Sequence, residues 1–323
     1  MFADDLLDAI DKKGNPCVVG LDPDIEKIPE HLRFGDFRSS VASTFLRFNC
    51  EIIDAVADLV PAVKPQIAFY EKYGSDGFRA FEDTVSYAQS RGLIVIEDGK
   101  RNDIGNTSRA YAEGHLVELG LDALTINAYL GNDGVRPFLE VCQNHGKGVF
   151  ILVKTSNKGS GDLQDRLIKV NDEEIEELRR LGIGLESNLT ELYNLVALQV
   201  NGFAQQLKGK RGYSSIGAVV GATYPEQARI LRKIMPNSIF LVPGYGAQGG
   251  TAKDVVPCFN ADGYGAVINS SRDIIYAYLK LRQEPMDLTS PLKYKPKQFA
   301  DAARESTKRM IENICFELAR LKV

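Results

Sequence analysis

Short apolar runs recur along the chain, and each has the length of a β-strand. Eight such runs are present, and nearly every residue in each is hydrophobic instead of alternating with polar residues. This pattern is typical of parallel strands that are buried on both faces. The predicted strands comprise residues 17–21, 62–64, 93–96, 123–126, 149–153, 216–220, 238–242 and 265–268.

The segments between these runs have the three- and four-residue spacing of amphipathic helices. In residues 41–60, for example, Phe45, Phe48, Ile52 and Val56 fall on one helical face. Eight strands that alternate with helices predict an α/β fold, a single (β/α)8 TIM barrel, with an open doubly wound sheet as the alternative. The other predicted helices are residues 76–91, 108–119, 225–234 and a final helix at 297–323 that is expected to close the barrel.

One connection is much longer than the others. Residues 156–213 separate the fifth and sixth predicted strands and contain helical patterns at 172–180 and 189–207. We therefore expect one barrel domain over residues 1–323 with a helical insertion at about 156–213. The glycine-containing start of the insertion, residues 158–162, is a candidate lid, and a plain solvent loop is the alternative.

Composition narrows the function classes. The 323 residues carry a net charge of −4, with 44% hydrophobic and 25% charged residues, which is typical of a globular protein. The mildly acidic balance argues against nucleic acid as a partner, because phosphate backbones require a basic surface. No apolar run has the length of a membrane span, no signal peptide is predicted, and the five cysteines include no CxxC pair. These features predict a cytoplasmic protein with reduced thiols and no membrane partner.

Charged residues follow the second and third predicted strands. Active sites of such barrels lie at the carboxyl ends of the strands. Lys64 ends the second strand, and Asp98, Lys100 and Asp103 follow the third. Residues two apart on an extended strand point the same way, so Asp98 and Lys100 are both expected to face the barrel mouth. Because buried charges require partners of opposite charge, we predict an array of alternating ammonium and carboxylate groups. The alternative is a solvated cluster of salt bridges.

A glycine-rich loop follows the seventh predicted strand. Residues 244–249 fit GxGxxG, and Asp262 follows at the spacing of a dinucleotide fingerprint. That fingerprint normally opens the first βαβ unit, however, and here Pro243 precedes it. Barrel loops at this position commonly bind phosphate through backbone amides, to which Gln248 and Arg272 can add donors. We expect a phosphate site, with a dinucleotide site and a plain turn as alternatives.

No histidine ends a predicted strand. His31, His115 and His145 lie in predicted helices or loops, and the chain has neither an HExxH nor a GxSxG motif. The predicted site therefore consists of lysine and aspartate residues, and no metal ligands are expected.

Taken in order from Gly20 to Arg272, these motifs resemble the orotidine 5′-phosphate decarboxylase family. The most specific is Asp98-Gly-Lys-Arg-Asn-Asp-Ile-Gly-Asn-Thr107 with Lys64 upstream. The length and the insertion resemble the longer-chain branch of the family. The other matching motifs are Gly20-Leu-Asp-Pro-Asp24, Lys64-Pro-Gln66 with Phe69-Tyr70, Thr125-Ile-Asn127, Leu152-Val-Lys-Thr-Ser156, Pro243-Gly-Tyr-Gly-Ala-Gln248 and Ile268-Asn-Ser-Ser-Arg272.

The resemblance implies conversion of orotidine 5′-phosphate (OMP) to UMP and CO2 in de novo pyrimidine biosynthesis. It implies a homodimer with shared active sites and no metal or organic cofactor. The catalytic tetrad would be Lys64, Asp98, Lys100 and Asp103. Asp98 would crowd the substrate carboxylate, and Lys100 would stabilise the carbanion at C6 and then protonate it.

The resemblance also implies a set of substrate-binding residues. Gln66 and the pair Ser270-Ser271 depart from residues that are common in the family, which affects only the expected details of binding. The implied contacts are Asp22 and Lys64 at the ribose, Gln66, Asn127 at the mouth, Thr155 and Ser156 at the pyrimidine, Pro243, Gly246, Gln248 and Arg272 at the phosphate, and Asp103, Ile104 and Thr107 in the partner's site.

Three other functions remain as alternatives. Mg²⁺-dependent sugar-phosphate decarboxylases and hexulose-phosphate synthases also have a DxKxxD strand end. They need further carboxylate ligands at other strand ends, where this chain has Lys64 and Asn127. The remaining alternatives are a nicotinamide oxidoreductase that uses residues 244–249 and a non-catalytic phosphate-binding barrel.

Overall fold

The strands form the predicted barrel. A computed structural model describes residues 1–33, 39–185, 187–280 and 298–320. The strands of this part of the chain are β1 (Cys17–Leu21), β2 (Ala62–Pro65), β3 (Ile94–Arg101), β4 (Ala123–Ile126), β5 (Gly148–Lys154), β6 (Leu167–Lys169), β7 (Leu189–Glu191), β8 (Ser214–Val220), β9 (Ser238–Val242) and β10 (Ala266–Ser270).

Eight of these strands close into a parallel barrel in the order β1, β10, β9, β8, β5, β4, β3, β2. They correspond to the eight apolar runs of the sequence, so the predicted (β/α)8 fold is confirmed and the doubly wound sheet is wrong. Five strands are longer than predicted, namely β2, β3, β5, β8 and β10. β3 continues to Arg101 and β10 to Ser270, so Asp98, Lys100 and Asn269 lie within strands.

Helices follow the strands around the chain. Among the described residues they are α1 (Phe2–Lys13), α2 (Ser39–Val56), α3 (Ala68–Glu71), α4 (Gly74–Ser90), α5 (Gly105–Glu113), α6 (Asn132–His145), α7 (Asp172–Arg180), α8 (Leu192–Ala204), α9 (Pro225–Ile234), α10 (Ala252–Val255), α11 (Arg272–Ile275), α12 (Ala277–Lys280) and α13 (Gln298–Ala319). None of these helices has the length and apolar character needed to cross a membrane.

Local chemistry sets several helix ends. α7 begins at a capping box in which Asn171 and Glu174 accept each other's backbone amides. Pro225 occupies the first turn of α9, where its missing N–H costs nothing. The predicted helix at 108–119 instead begins at Gly105 and ends in a π-helical turn, Gly114–Glu118. The final helix is confirmed over α13, whereas residues 297 and 321–323 of that prediction lie outside the described residues.

The long insertion contains a feature that periodicity missed. Leu167–Lys169 and Leu189–Glu191 pair as a two-stranded antiparallel sheet. The predicted helix at 189–207 was therefore wrong at its start, because residues 189–191 pair with β6 and α8 begins only at Leu192. Residues 158–162 form a 3-10 helix in which Ser160 is buried.

Internal contacts divide the chain into two compact units. The first contains Met1–Asp8, Lys100–Asn269 and Ile314–Val323, and the second contains Ala9–Gly99 and Ser270–Asn313. In the first, the Phe2 ring packs edge-on against Phe150 with centroids 5.8 Å apart. In the second, Phe299 of α13 stacks on Phe48 of α2 at 5.3 Å. The expectation of one domain over residues 1–323 stays a prediction.

Candidate active site

A buried ion pair joins the carboxyl ends of β2 and β3. Lys64 is only 3% exposed, and its Nζ donates to Asp98 Oδ2 at 2.8 Å. Parallel pairing between Gln66 and Asp98 continues the β2–β3 ladder to this point. Burial alone would lower the pKa of Lys64, but the Asp98 and Asp22 carboxylates outweigh it and raise this pKa. Lys64 is therefore held as a charged ammonium.

Asp22, directly after β1, has an unsatisfied oxygen. Its Oδ1 is buried and has no hydrogen-bond partner among the described residues. Burial raises the pKa of this carboxyl, although the Lys64 ammonium opposes the shift. A buried acceptor without a donor costs about 1–3 kcal/mol, so such an atom is a candidate contact for a ligand hydroxyl.

Two tyrosines fix the backbone that carries Asp22. Tyr70 Oη donates to the carbonyl of Leu21 at 3.0 Å, and Tyr276 Oη donates to the carbonyl of Asp22 at 3.1 Å. Tyr276 Oη also accepts the amide of Asp24 at 2.6 Å. Tyr70 belongs to the Phe69-Tyr70 motif, but neither its contact nor Tyr276 could be predicted, because bonds from distant residues to backbone carbonyls leave no local pattern.

A glycine lets the end of β10 approach β1. A Cβ at Gly20 would lie 2.6 Å from the Cβ of Ser271, closer than two such atoms can pack. Arg272 follows as the first residue of α11, with an exposed side chain. The glycine of the β1 motif therefore permits the position of the turn that carries the candidate phosphate ligand.

The end of β3 departs from regular strand geometry at Lys100. This residue has a φ of +46°, and among the described residues no other non-glycine residue has a positive φ. Its amide donates to Thr125 Oγ1 of β4 at 2.9 Å. Strand alternation alone therefore does not give the direction of this side chain, and the expectation that Lys100 faces the barrel mouth with Asp98 stays a prediction. The Lys100 side chain itself is exposed.

An exposed apolar patch surrounds the β3–α5 and β4–α6 connections. Ile104, Tyr129 and Leu130 are 55%, 75% and 46% exposed. A Cβ at Gly134 would lie 2.8 Å from the Asp103 carbonyl and 3.4 Å from Leu130 Cβ, so these two connections approach each other. We call Ile104, Tyr129 and Leu130 the apolar patch.

The polar residues beside the apolar patch are fixed locally. The Asp103 carboxylate accepts the amide of Ile104 at 2.8 Å. Asn127 Oδ1 accepts the amide of Tyr129 at 2.9 Å, and the amide of Asn127 donates to the Arg101 carbonyl at 2.9 Å. Thr107, in the first turn of α5, is exposed.

The ends of β5 and β9 are joined by predicted binding residues. Ser156 Oγ donates to Gln248 Oε1 at 2.8 Å, which leaves the Gln248 amide nitrogen to face solvent or a ligand. Gln164 Oε1 accepts the amide of Thr155 at 3.0 Å, and Gln164 Nε2 donates to Thr155 Oγ1 at 2.8 Å. The sequence placed Ser156 and Gln248 in the same site but did not indicate this bond, and nothing in it pointed to Gln164.

The loop after Pro243 has a backbone that only glycine adopts readily. Gly244, Gly246 and Gly249 have φ values of +95°, +76° and +98°. The amide of Gly246 donates to the Gly250 carbonyl at 2.8 Å, so it is not available to a phosphate. The amides of Ala247 and Gln248 have no acceptor in the described part of the chain. These two amides are therefore available as donors to a phosphate.

The dinucleotide interpretation of this loop is not supported. Its required acidic residue, Asp262, accepts bonds from Tyr213 Oη at 2.9 and 3.0 Å and caps the turn before β10. Asp262 therefore lies in the turn before β10, whereas the glycines of residues 244–249 lie in the loop after β9. The glycines thus belong to a barrel loop.

Comparison with known proteins assigns the family. The family described as Orotidine 5′-phosphate decarboxylase / HUMPS matches residues 16–283. An orotidine 5′-phosphate decarboxylase of Rhodopirellula baltica is 44% identical over 323 residues, which cover 97% of this chain and 98% of the relative. A relative of the same name from Caldicellulosiruptor saccharolyticus is 40% identical and covers 86% of this chain and 90% of its own. The structure of Leishmania donovani OMP decarboxylase has a TM-score of 0.70 at 28% identity and covers 98% of both chains.

The fold and these relatives define the class of the protein, which is a carboxy-lyase built on a (β/α)8 barrel. The chain belongs to the orotidine 5′-phosphate decarboxylase / HUMPS family. The resemblance of the sequence motifs to this family is confirmed.

Proposed function

We propose that the chain converts OMP to UMP and CO2 as a step of de novo pyrimidine biosynthesis. The observation that carries the proposal is the buried Lys64–Asp98 pair beside Asp22, whose Oδ1 has no hydrogen-bond partner among the described residues. A carboxylate held in a fixed position repels a substrate carboxylate, and an adjacent ammonium stabilises the negative charge that replaces it. The names of the near full-length relatives support the same reaction.

The reaction is heterolytic. The bond between C6 of the pyrimidine and the carboxyl carbon breaks, CO2 departs, and the electron pair stays on C6. Lys100 Nζ stabilises this carbanion and then donates a proton to C6; solvent later returns a proton to the lysine. The Asp98 carboxylate raises the free energy of the bound substrate more than that of the transition state, in which the substrate carboxylate is departing as CO2. The activation barrier is thereby lowered and the rate rises. The protein's own residues supply every group in this scheme, and we propose no metal or organic cofactor.

We assign the substrate-binding roles to the polar groups at the strand ends. Asp22 and Lys64 bind ribose hydroxyls, since Asp22 Oδ1 is an acceptor in need of a donor. Gln66 and Asn127 support the mouth. Thr155 and Ser156 contact the pyrimidine. Pro243, Gly246, Gln248 and Arg272 form the phosphate subsite, in which Gly246 shapes the loop and the Gln248 and Arg272 side chains donate.

We propose that the apolar patch lies in a homodimer interface. Large apolar side chains with this exposure, clustered beside polar site residues, are typical of interaction surfaces. Asp103, Ile104 and Thr107 of one subunit would then complete the partner's site. Light scattering should give twice the mass of the chain for the wild type, and Ile104→Glu should yield monomers with reduced turnover. A fully active monomer would contradict this arrangement.

The activity is tested by following the ultraviolet absorbance of OMP with the purified protein, with and without EDTA. We expect conversion to UMP at the same rate in both samples. Conversion that EDTA abolishes would favour the Mg²⁺-dependent members of the family, and no conversion by folded protein would reject the proposal.

A further inference from the structure

A fully buried lysine lies one residue before the proposed pyrimidine contacts. Lys154 ends β5 and is 0% exposed. Its Nζ donates to Asp165 Oδ1 at 2.6 Å and to Ser160 Oγ at 3.1 Å. The same ammonium lies 4.3 Å from the centre of the Tyr224 ring. A buried ammonium without a partner is strongly unfavourable, so these contacts hold Ser160 and Asp165 close to the Lys154 ammonium.

The hydrogen-bond partners of Lys154, Ser160 and Asp165, come from the start of the insertion. Gln164, which precedes Asp165, contacts the end of β5. It bonds both the amide and the hydroxyl of Thr155, at 3.0 and 2.8 Å. Lys154 and Thr155 are thus bonded to the insertion by consecutive residues. Together these contacts hold residues 158–165 against the end of β5.

The β8–α9 connection holds the same backbone from its other side. Thr223 Oγ1 donates to the carbonyl of Ser156 at 3.1 Å, and Tyr224 Oη donates to that of Asn157 at 3.1 Å. A Cβ at Gly221 would lie 2.6 Å from Ser156 Cα, so the glycine permits this close approach. Tyr224 also receives the Lys154 ammonium on its ring face, which links the two sets of contacts.

We propose that Lys154 is a positioning residue for the reaction. Its ammonium draws residues 158–165 onto the strand end and so fixes Thr155 and Ser156, with Ser156 in turn holding Gln248. In this arrangement residues 158–165 act as a fixed wall of the site and do not move as a lid. The inference rests on the proposed function, because it takes Thr155 and Ser156 as the pyrimidine contacts. Polar contacts fixed before the substrate arrives save binding free energy that their ordering would otherwise consume.

Lys154→Met is the direct test, because it keeps the length of the side chain and removes its charge. The Asp165 side chain is 40% exposed, so water can solvate the carboxylate that remains. We expect kcat/KM for OMP to fall by about 10- to 100-fold. Lys169→Met is the matched control, since Lys169 is an exposed lysine of the same insertion. We expect it to match the wild type.

A double-mutant cycle separates positioning from a general loss of stability. If Lys154 acts through Ser156, Lys154→Met should cost little further activity in a Ser156→Ala background, while its effect on Tm should be the same in both backgrounds. Lys154→Arg should retain most of the activity because it keeps a cation. An equal loss of kcat/KM in both backgrounds would overturn the proposal.

A second measurement tests the positioning role of Lys154 without depending on which reaction the protein catalyses. Amide hydrogen exchange of residues 155–165 should be faster in Lys154→Met than in Lys169→Met or the wild type, whether or not the protein converts OMP. Unchanged exchange in these residues would overturn the positioning role. Absence of turnover by the wild type would instead reject the proposed function. If Lys154→Met does not fold, Asp165→Asn removes the same ion pair and is measured in its place.

Discussion

The backbone amide of Lys100 donates to Thr125 Oγ1 at 2.9 Å, while Lys100 has a φ of +46°. A lysine in the left-handed region costs about 1–3 kcal/mol and persists only where its surroundings hold it. Thr125 is buried in β4 and supplies one such restraint. The proposed proton donor therefore lies at a strained residue that a neighbouring strand restrains.

This relationship predicts that Thr125→Val lowers kcat. Valine has nearly the same shape but lacks the acceptor, so the amide of Lys100 loses this bond and its ammonium loses a fixed position. We expect a fall of about 10-fold or more in kcat with little change in KM. Thr125→Ser retains the hydroxyl and should remain close to wild type. Equal activity in the valine and serine variants would show that the bond has no catalytic role.

Lys100→Ala should nearly abolish turnover. The side chain is exposed, so the fold should persist after its removal, as circular dichroism can verify. Without an ammonium at C6, neither charge stabilisation nor protonation by the protein remains, and a loss of at least about 1,000-fold is expected. Lys169→Ala provides a control for removing an exposed lysine. Turnover within tenfold of wild type would remove Lys100 from the mechanism.

Asp22→Asn should stabilise the protein while weakening catalysis. Burial raises the pKa of Asp22 despite the nearby Lys64 ammonium, so the folded state holds the ionised carboxylate at a cost in free energy. That cost is present above the raised folded-state pKa and vanishes as the pH falls below the ordinary value of 3.8. The gain in Tm on substitution should therefore be largest near neutral pH and should shrink towards pH 4.

The same variant should lower kcat/KM by about 10- to 100-fold, because the amide replaces a charged acceptor for the ribose hydroxyl. Thermal melts across the pH range and steady-state kinetics measure the two effects independently. A Tm below that of wild type at neutral pH would contradict the assigned direction of the pKa shift. Unchanged kinetics would remove Asp22 from the ribose site.

Arg272→Ala should mainly weaken binding of the phosphorylated substrate. The guanidinium is exposed at the start of α11, and a charge-assisted bond to phosphate is worth more than a neutral one. We expect KM for OMP to rise by about 10-fold or more, while turnover of orotidine, which lacks the phosphate, stays at the wild-type level. Arg229→Ala, which removes an exposed arginine of α9, is the control. An equal effect of Arg272→Ala on both substrates would place Arg272 elsewhere.

The sequence predicted the barrel well because its strands are continuous apolar runs between helical patterns. It also predicted that Lys64 and Asp98 lie together at neighbouring strand ends, where the structure joins them in an ion pair. Features that depend on contacts between distant residues were not predictable in this way. The short strand at Leu189–Glu191 resembles the first turn of a helix until it pairs with β6. Likewise, alternation along β3 could not reveal the left-handed backbone at Lys100.

The contacts of the insertion were not predictable from the local sequence either. Lys158-Gly-Ser-Gly-Asp162 has the composition of a mobile loop, yet Ser160 is buried against the Lys154 ammonium. Nothing in the local pattern identifies Lys154 as buried, because a lysine at a strand end is ordinarily solvated. Its role emerges only from contacts with Asp165 and Tyr224.

We propose that a charged array at the strand ends decarboxylates OMP without a metal. The most direct measurement is the ultraviolet absorbance of OMP with wild-type protein and with Lys100→Ala, each with and without EDTA. We expect conversion to UMP by the wild type at a rate that EDTA does not change, and almost none by the variant. Conversion that requires a divalent metal, or equal conversion by the variant, would contradict it.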